Sequence, residues 1–247
     1  MKTILITGAS RGIGAATAFL AAREGYAVIV NYRSNRTAAE LVVAQIVSIG
    51  GNAKAIQADV SSEKEVERMF AEIDHSFGRL DSLINNAGIL ETQKRISDIS
   101  LDRLRRMFET NFFSAFLCCQ HAVRRMSTRN GGSGGTIVNV SSLASVTGAP
   151  FEYIDYATTK GALDTLTVGL SKELAQEGIR VNAVRPAFIH TEIHAAGGEP
   201  NRIERIKTEI PLQRGGTPEE VAEAILWLAG EKSSYTTGAC INIAGGK

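Results

Sequence analysis

Thr3-Ile4-Leu5-Ile6-Thr7-Gly8-Ala9-Ser10-Arg11-Gly12-Ile13-Gly14 runs from a short apolar stretch through a glycine-rich turn into the start of a helical pattern. The apolar stretch is continuous and rich in isoleucine, as a strand covered on both faces requires. Glycines at 8, 12 and 14 permit a tight turn and let a helix N-terminus approach a pyrophosphate closely. The spacing is G-x-x-x-G-x-G, not the general G-x-G-x-x-G, so the strand–loop–helix setting carries the meaning. In that setting Gly8, Ser10, Arg11, Gly12, Ile13 and Gly14 are the expected dinucleotide-binding residues.

The same alternation continues outward along the chain. Ile4–Thr7, Ala27–Asn31, Ala53–Gln57, Ser82–Asn85, Thr136–Val140, Arg180–Ala183 and Ala239–Ile243 read as strands. Between them, Ile13–Arg23, Thr37–Ile49, Glu63–Phe77, Leu101–Arg125, Ala157–Glu177 and Pro218–Ala229 carry helical periodicity. Ser62 with Glu65 fits a capping box, and Thr217-Pro218 an N-cap followed by proline. Strands alternating with helices predict βαβ units with right-handed crossovers. The expected fold is α/β, a doubly wound, seven-stranded parallel sheet with helices on both faces. The glycine-rich turn Asn130–Gly135 is too short to link domains, so residues 1–247 read as a single Rossmann-type domain.

Composition narrows the partners. Of 247 residues, 44% are hydrophobic, enough for a large core, and the net charge is +1. That balance offers no basic surface for nucleic acid or an anionic membrane. No apolar stretch reaches the ~18 residues of a membrane span, and no signal-peptide pattern can be laid out at the start. Cys118, Cys119 and Cys240 form neither a CxxC nor a zinc spacing. An odd count with two adjacent members suits a reducing cytoplasm, which is the expected location. His190-Thr-Glu-Ile-His194 lacks the H-E-x-x-H order, and no metal is expected.

The second strand ends at Asn31-Tyr32-Arg33, where an NAD-binding chain would carry an acidic residue for the ribose 2′-hydroxyl. With Tyr32 there, Arg33 next to it and Arg11 in the glycine turn, the edge suits a dianionic 2′-phosphate. NADP(H) is therefore expected over NAD(H). Further on, Tyr156-Ala-Thr-Thr-Lys160 places a phenol and an ammonium four residues apart, on one helical face. A free phenol titrates near ~10, and a nearby ammonium favours its ionised form.

With these motifs in order, the sequence resembles the short-chain dehydrogenase/reductase family over essentially its whole length. The motifs are Thr7–Gly14, Asp59-Val60, Asn85-Asn86-Ala87-Gly88, Asn111, Ser141-Ser142, Tyr156 with Lys160, Pro186, and Thr236-Thr237-Gly238. The resemblance implies that Tyr156 exchanges a proton with the substrate oxygen and that Ser142 holds that oxygen. It implies that Lys160 lowers the tyrosine pKa and binds the nicotinamide ribose, and that Asn111 keeps a water in a relay to Lys160. Asp59 and Val60 would flank the adenine, and Asn86, Ala87 and Gly88 would line the cleft. Pro186, Ile189 and Thr191 would border the nicotinamide. Ser141 is equally a hydroxyl at the strand end, and the choice of Ser142 rests on the resemblance.

Three departures from the family pattern stand out. Ser142 precedes Tyr156 by fourteen positions, one more than usual, with the added residue expected in Pro150–Asp155. Ala187 replaces the glycine usual after the proline. Asn31-Tyr32 replaces the acidic strand end.

The implied activity is hydride transfer between a nicotinamide cofactor and a small carbonyl or secondary alcohol. Three substrate classes compete: general ketones or aldehydes, 3-oxoacyl carrier-protein thioesters, and sugars of the glucose 1-dehydrogenase type. Arg124 and Arg125 suit a carrier protein, whereas Glu177 stands where a base is wanted. A dinucleotide-sensing regulatory protein is the non-enzymatic alternative, though it would not need Tyr156 and Lys160. The family also implies a homotetramer. The segment from Ile189 to Leu212, with Gly197-Gly198-Glu199-Pro200 inside it, is expected to form a substrate loop.

Overall fold

The opening apolar stretch forms β1 (Thr3–Ile6), and six further strands join it in one sheet. They are β2 (Ala27–Tyr32), β3 (Asn52–Gln57), β4 (Ser82–Asn85), β5 (Gly135–Val140), β6 (Ile179–Pro186) and β7 (Cys240–Ile243). The computed structural model describes all 247 residues, and in it every strand pairing is parallel. The order is β3-β2-β1-β4-β5-β6-β7. Ile4 lies opposite Val28 on one side and Ser82 on the other. The chain winds outward from β1 to β3, then returns to place β4 beside β1. The loops after β1 and β4 therefore diverge and leave a crevice at their carboxyl ends.

Alternation along each strand feeds two cores. Ile4, Ile6, Val28 and Val30 point to the face covered by α1 (Gly12–Arg23), α2 (Arg36–Ser48) and α10 (Pro218–Ala229). Leu5, Ile29, Leu83 and Ile137 point to the other face, against α3 (Glu63–Phe77) and α5 (Ser114–Met126). Side chains alternate with period two, so one apolar run serves both layers. This is the doubly wound architecture that the alternation of runs predicts.

Local chemistry sets several helix boundaries. Asn35 caps α2, its side chain accepting from Ala38 N at 3.0 Å. Thr217 and Glu220 form a complete capping box at α10. The Ser62–Glu65 box does not form. Ser62 makes no side-chain cap, and Glu65 instead accepts from the Asp59 backbone N–H at 2.8 Å, tying α3 to the end of β3.

The expected helix Leu101–Arg125 is three pieces: α4 (Leu101–Phe108), a π-helical turn (Glu109–Phe113) and α5. Such wide turns are frequent at functional sites, and this one contains Asn111. The helix α7 (Ile154–Leu174) begins three residues before the predicted Ala157 and closes in a 3-10 turn at Ala175–Glu177. Short helices α6 (Ala144–Thr147), α8 (Ile193–Ala196) and α9 (Arg202–Ile206) are too brief to leave a periodic signal. No helix is long and apolar enough to cross a membrane.

Candidate active site

The glycine turn meets the loop after β4 across the crevice. Thr7 accepts at its Oγ1 from the Asn86 and Ala87 N–H groups, both at 3.0 Å. Asn86 returns its side-chain amide to Thr7 O at 2.9 Å and Gly8 O at 3.1 Å. Gly14 packs so closely that a Cβ there would stand 2.6 Å from Asn86 Nδ2. Gly12, at φ +54°, occupies the left-handed region, and a Cβ there would reach Thr191 at 3.4 Å. No side chain caps the N-terminus of α1, which leaves its first N–H groups for an anion. This uncovered backbone cradle fits a dinucleotide pyrophosphate.

Asn31 is a residue whose role the sequence reading missed. It is a buried polar side chain in an otherwise apolar strand, and it accepts from Gly8 N at 3.2 Å. Its amide donates to Ala58 O at 3.1 Å, so one side chain links the glycine turn to the end of β3. The signal was the lone amide within Ala27–Tyr32.

At the adenosine edge, Tyr32 is buried while Arg11 and Arg33 are exposed. Arg33 Nη1 lies 4.0 Å from Asp59 Oδ2, and Asp59 itself accepts from Ser61 N and Oγ at 3.0 and 2.6 Å. Val60 buries its side chain in the core with Ile56 and Val66. Arg36, not singled out from the sequence, opens α2 and pairs with Glu40 at 2.6 Å.

The residues expected to be catalytic come from three elements. Ser142 follows β5 and lines the same small cavity as Tyr156, where its hydroxyl favours the phenolate. Its Oγ also accepts from Ala144 N at 3.1 Å and donates to Pro186 O at 3.4 Å. Ser141 turns the other way, donating to Lys160 O at 3.2 Å from a buried position. Two neighbouring hydroxyls thus take different partners, Ser141 binding the Lys160 backbone and Ser142 that of Pro186 and Ala144 beside the cavity. Lys160 is 4% exposed, and its Nζ donates to Val140 O at 2.8 Å. That ammonium lies 5.6 Å from the centre of the Tyr156 ring.

Asn111 closes the group from behind. Its Oδ1 accepts from Ile89 N at 2.7 Å and its Nδ2 donates to Ile89 O at 3.0 Å. Both arms hold the loop backbone, and Gly88 occupies the space between Asn111 and Lys160. A Cβ on Gly88 would stand 3.3 Å from Asn111 Oδ1 and 3.6 Å from Lys160 Nζ. A cavity of about 100 Å³ joins Ile13, Asn86, Ser142, Tyr156, Lys160 and Thr191. A larger groove of about 1060 Å³ runs behind α1 past Phe19 and Ile49 and includes none of Ser142, Tyr156 or Lys160.

Electrostatics sharpen the picture. Burial pushes the Tyr156 phenol up to about 12, against the lowering influence of the nearby Ser142 hydroxyl. Burial brings the Lys160 ammonium down to about 8, opposed by the negative charge of Asp164. The lowering of Tyr156 expected from Lys160 is therefore outweighed here by desolvation of the phenol. At neutral pH the tyrosine holds its proton and most of the lysine is charged.

The substrate loop closes one side. Arg202 of α9 pairs with Glu152 and, at 2.8 Å, with Glu199, and lies over the rings of Tyr153 and Phe188. Tyr153 donates its hydroxyl to Gly197 O at 3.2 Å. His194 is buried and hydrogen-bonds Ile189 O through Nε2 at 3.0 Å. No cluster of three His, Cys, Asp or Glu side chains is arranged to hold a metal ion.

Comparison with known proteins agrees with this geometry. Residues 8–247 match the family described as enoyl-(acyl carrier protein) reductase. The chain belongs to the short-chain dehydrogenase/reductase family. Within it, an uncharacterised oxidoreductase of Escherichia coli (strain K12), YgfF, is 56% identical over 247 residues, covering 100% of both chains. A 3-oxoacyl-[acyl-carrier-protein] reductase of Staphylococcus aureus (strain Mu50) is 38% identical over 99% of this chain and 97% of its own. A 3beta-hydroxysteroid dehydrogenase of Eggerthella lenta is 37% identical over 99% of this chain and 93% of its own. As a short-chain dehydrogenase/reductase the protein is an oxidoreductase whose family works with a nicotinamide cofactor on small molecules.

Proposed function

We propose that the protein is an NADP(H)-preferring oxidoreductase that interconverts a carbonyl and a secondary alcohol, with Tyr156 as general acid and base. The observation that carries this reading is that Ser142, Tyr156 and Lys160 line one cavity at the end of the glycine cradle. The nicotinamide, when bound, supplies or accepts the hydride. Tyr156 gives its proton to the carbonyl oxygen during reduction, and Ser142 donates a hydrogen bond to the same oxygen as charge develops there. Lys160 holds positive charge beside the phenol and offers its N–H groups to the ribose. Asn111 fixes the loop carrying Asn86, Ala87 and Gly88, and Pro186, Ile189 and Thr191 form the opposite wall. Oxidation runs the same proton in reverse and needs the phenolate.

Cofactor preference follows from charge. No carboxylate occupies position 32, and Arg33, assisted by Arg11, would meet the 2′-phosphate of a bound NADP(H). General ketones or aldehydes are the first substrate class. The relatives named 3-oxoacyl reductases support acyl thioesters as the second. Against that class, Arg125 is already held by Asp74 at 2.7 Å and stacked on Phe70, and Glu177 is held by Ser127. We also infer a homotetramer, because Phe113 on the π turn, Phe116 on α5, Val168 on α7 and Trp227 on α10 are large apolar side chains left exposed. A cytoplasmic location is inferred too, because the three cysteines are free.

A screen of ketones, aldehydes, sugars and acyl thioesters, with NADPH and NADH supplied separately, tests the activity. Turnover of a ketone or aldehyde with NADPH at least ten-fold above NADH is expected. Cofactor binding with no turnover of any class would point to a sensor and overturn the reading. Sedimentation at micromolar concentration tests the tetramer, and a stable monomer would exclude it.

A further inference from the structure

We propose that Arg103 and Asp155 are positioning residues for Tyr156, a buried ion pair that takes the place of a helix cap at the first turn of α7. The proposal rests on the acid–base role given to Tyr156 above.

The approach to α7 runs through strained backbone. Ala149 and Phe151 have φ of 42° and 66°, in the left-handed region that side chains disfavour. Tyr153, the residue before the helix, makes no side-chain cap. The usual means of fixing a helix start is missing just where a side chain in the first turn must be aimed accurately.

Arg103 supplies what is missing. From α4 its Nε donates to Asp155 Oδ2 at 2.6 Å and its Nη2 to Oδ1 at 3.2 Å. The two side chains are 3% and 1% exposed. This planar, two-point contact fixes both the distance and the rotation of the turn that carries Asp155 and Tyr156. The remaining nitrogen, Nη1, donates to Thr92 O at 2.6 Å. Thr92 lies on the loop that begins with Asn86–Gly88 and is held at Ile89 by Asn111. Arg103 therefore joins the tyrosine-bearing turn to the cleft-lining loop. Its own backbone is secured, because Ser100 accepts from Arg103 N at 3.2 Å. The neighbouring carboxylate Glu91, 3.9 Å away, is engaged chiefly by Arg106.

Stability alone does not account for such a pair. A buried ion pair replaced by apolar side chains of similar volume often leaves a protein equally stable, so its use lies in geometry. A reacting group misplaced by about 1 Å can lose on the order of 10²-fold in rate.

The test compares Arg103→Lys, the charge-neutral double variant Arg103→Met with Asp155→Leu, and Tyr156→Phe, each in the full chain. Melting temperature, NADPH affinity by fluorescence, kcat and KM are measured on the wild-type substrate. The folded double variant is expected to keep NADPH affinity and KM within about three-fold while kcat falls at least ten-fold. Arg103→Lys, which keeps the charge but loses the two-point contact, is expected to recover part of that loss. Wild-type kcat in the folded double variant overturns the proposal, as does a parallel fall of kcat and NADPH affinity. Should the double variant not fold, Arg103→Lys decides: a kcat loss of three-fold or more at unchanged melting temperature supports the pair, and wild-type kcat refutes it. If Tyr156→Phe itself stays active, the acid–base reading has failed, a result distinct from failure of the pair.

Discussion

Lys160 and Arg33 are both cations at the proposed cofactor site, yet the protein holds them in opposite ways. Lys160 is 4% exposed and tied to Val140 O, whereas the Arg33 side chain is 64% exposed with its nearest carboxylate 4.0 Å away. The catalytic wall is dry, so each charge there costs desolvation, acts strongly and is aimed in advance. The adenosine edge is wet, so its arginines cost little, adapt to what arrives and are weakened by salt. Substitutions at the wall should therefore produce large, all-or-none effects, and those at the edge graded ones.

The sharpest way to break this contrast is Tyr156→Phe. Loss of the transferable proton should lower kcat by about 10²–10⁴-fold and leave NADPH affinity within a few-fold. More than a tenth of kcat remaining would remove Tyr156 from the chemistry. Next comes Lys160→Met, which should remove activity yet stabilise the fold. The ammonium's ordinary value of 10.5 falls to about 8 in the folded chain. A lysine depressed in this way opposes folding fully below pH 8, and the penalty fades as pH rises from 8 towards 10.5. At pH 7 the relieved desolvation is worth about 3 kcal/mol. About 1–3 kcal/mol of it is lost again, because Val140 O is left without its donor. A gain of no more than a few degrees in Tm is therefore expected by calorimetry. The same titration predicts that carbonyl reduction declines as pH climbs through about 8, because the lysine charge is lost while Tyr156 stays protonated.

At the wet edge, Arg33→Ala should raise the KM for NADPH roughly ten-fold and leave that for NADH almost unchanged. Equal use of both cofactors by the wild type would show that the exposed arginines do not choose between them. Smallest of all, Asp59→Asn frees Arg33 from a weak, solvent-screened pair and should tighten NADPH by no more than about three-fold. An effect as large as that of Tyr156→Phe would mean that the edge is not wet once cofactor binds.

The same contrast governs how much was legible in advance. The seven strands follow from short apolar runs, and the glycine turn from where a left-handed residue and close approach are needed, as at Gly12. Tyr156 and Lys160 share a face through helical spacing alone. The π turn at Glu109–Phe113 was not legible, since one wider turn barely disturbs the apolar periodicity over so long a stretch. The failed cap at Ser62 was hidden too, because Glu65 found a better donor in the Asp59 backbone, on a different element. Ser141 and Ser142 were indistinguishable in sequence, and the strand end decides which partners each one takes.

By itself the sequence determined the alternation of strands and helices, the place of the glycine cradle, and the pairing of a phenol with an ammonium. These are consequences of local geometry: side-chain period, backbone freedom and spacing along one helix. Tertiary structure alone decided that Ser142 and Tyr156 share one cavity, that Asn31 ties two loops, and that Arg103 holds Asp155. It also decided which cations are dry. Partners far apart in sequence meet only when the sheet brings their elements together, and the strength of a charge depends on how much water that packing leaves beside it.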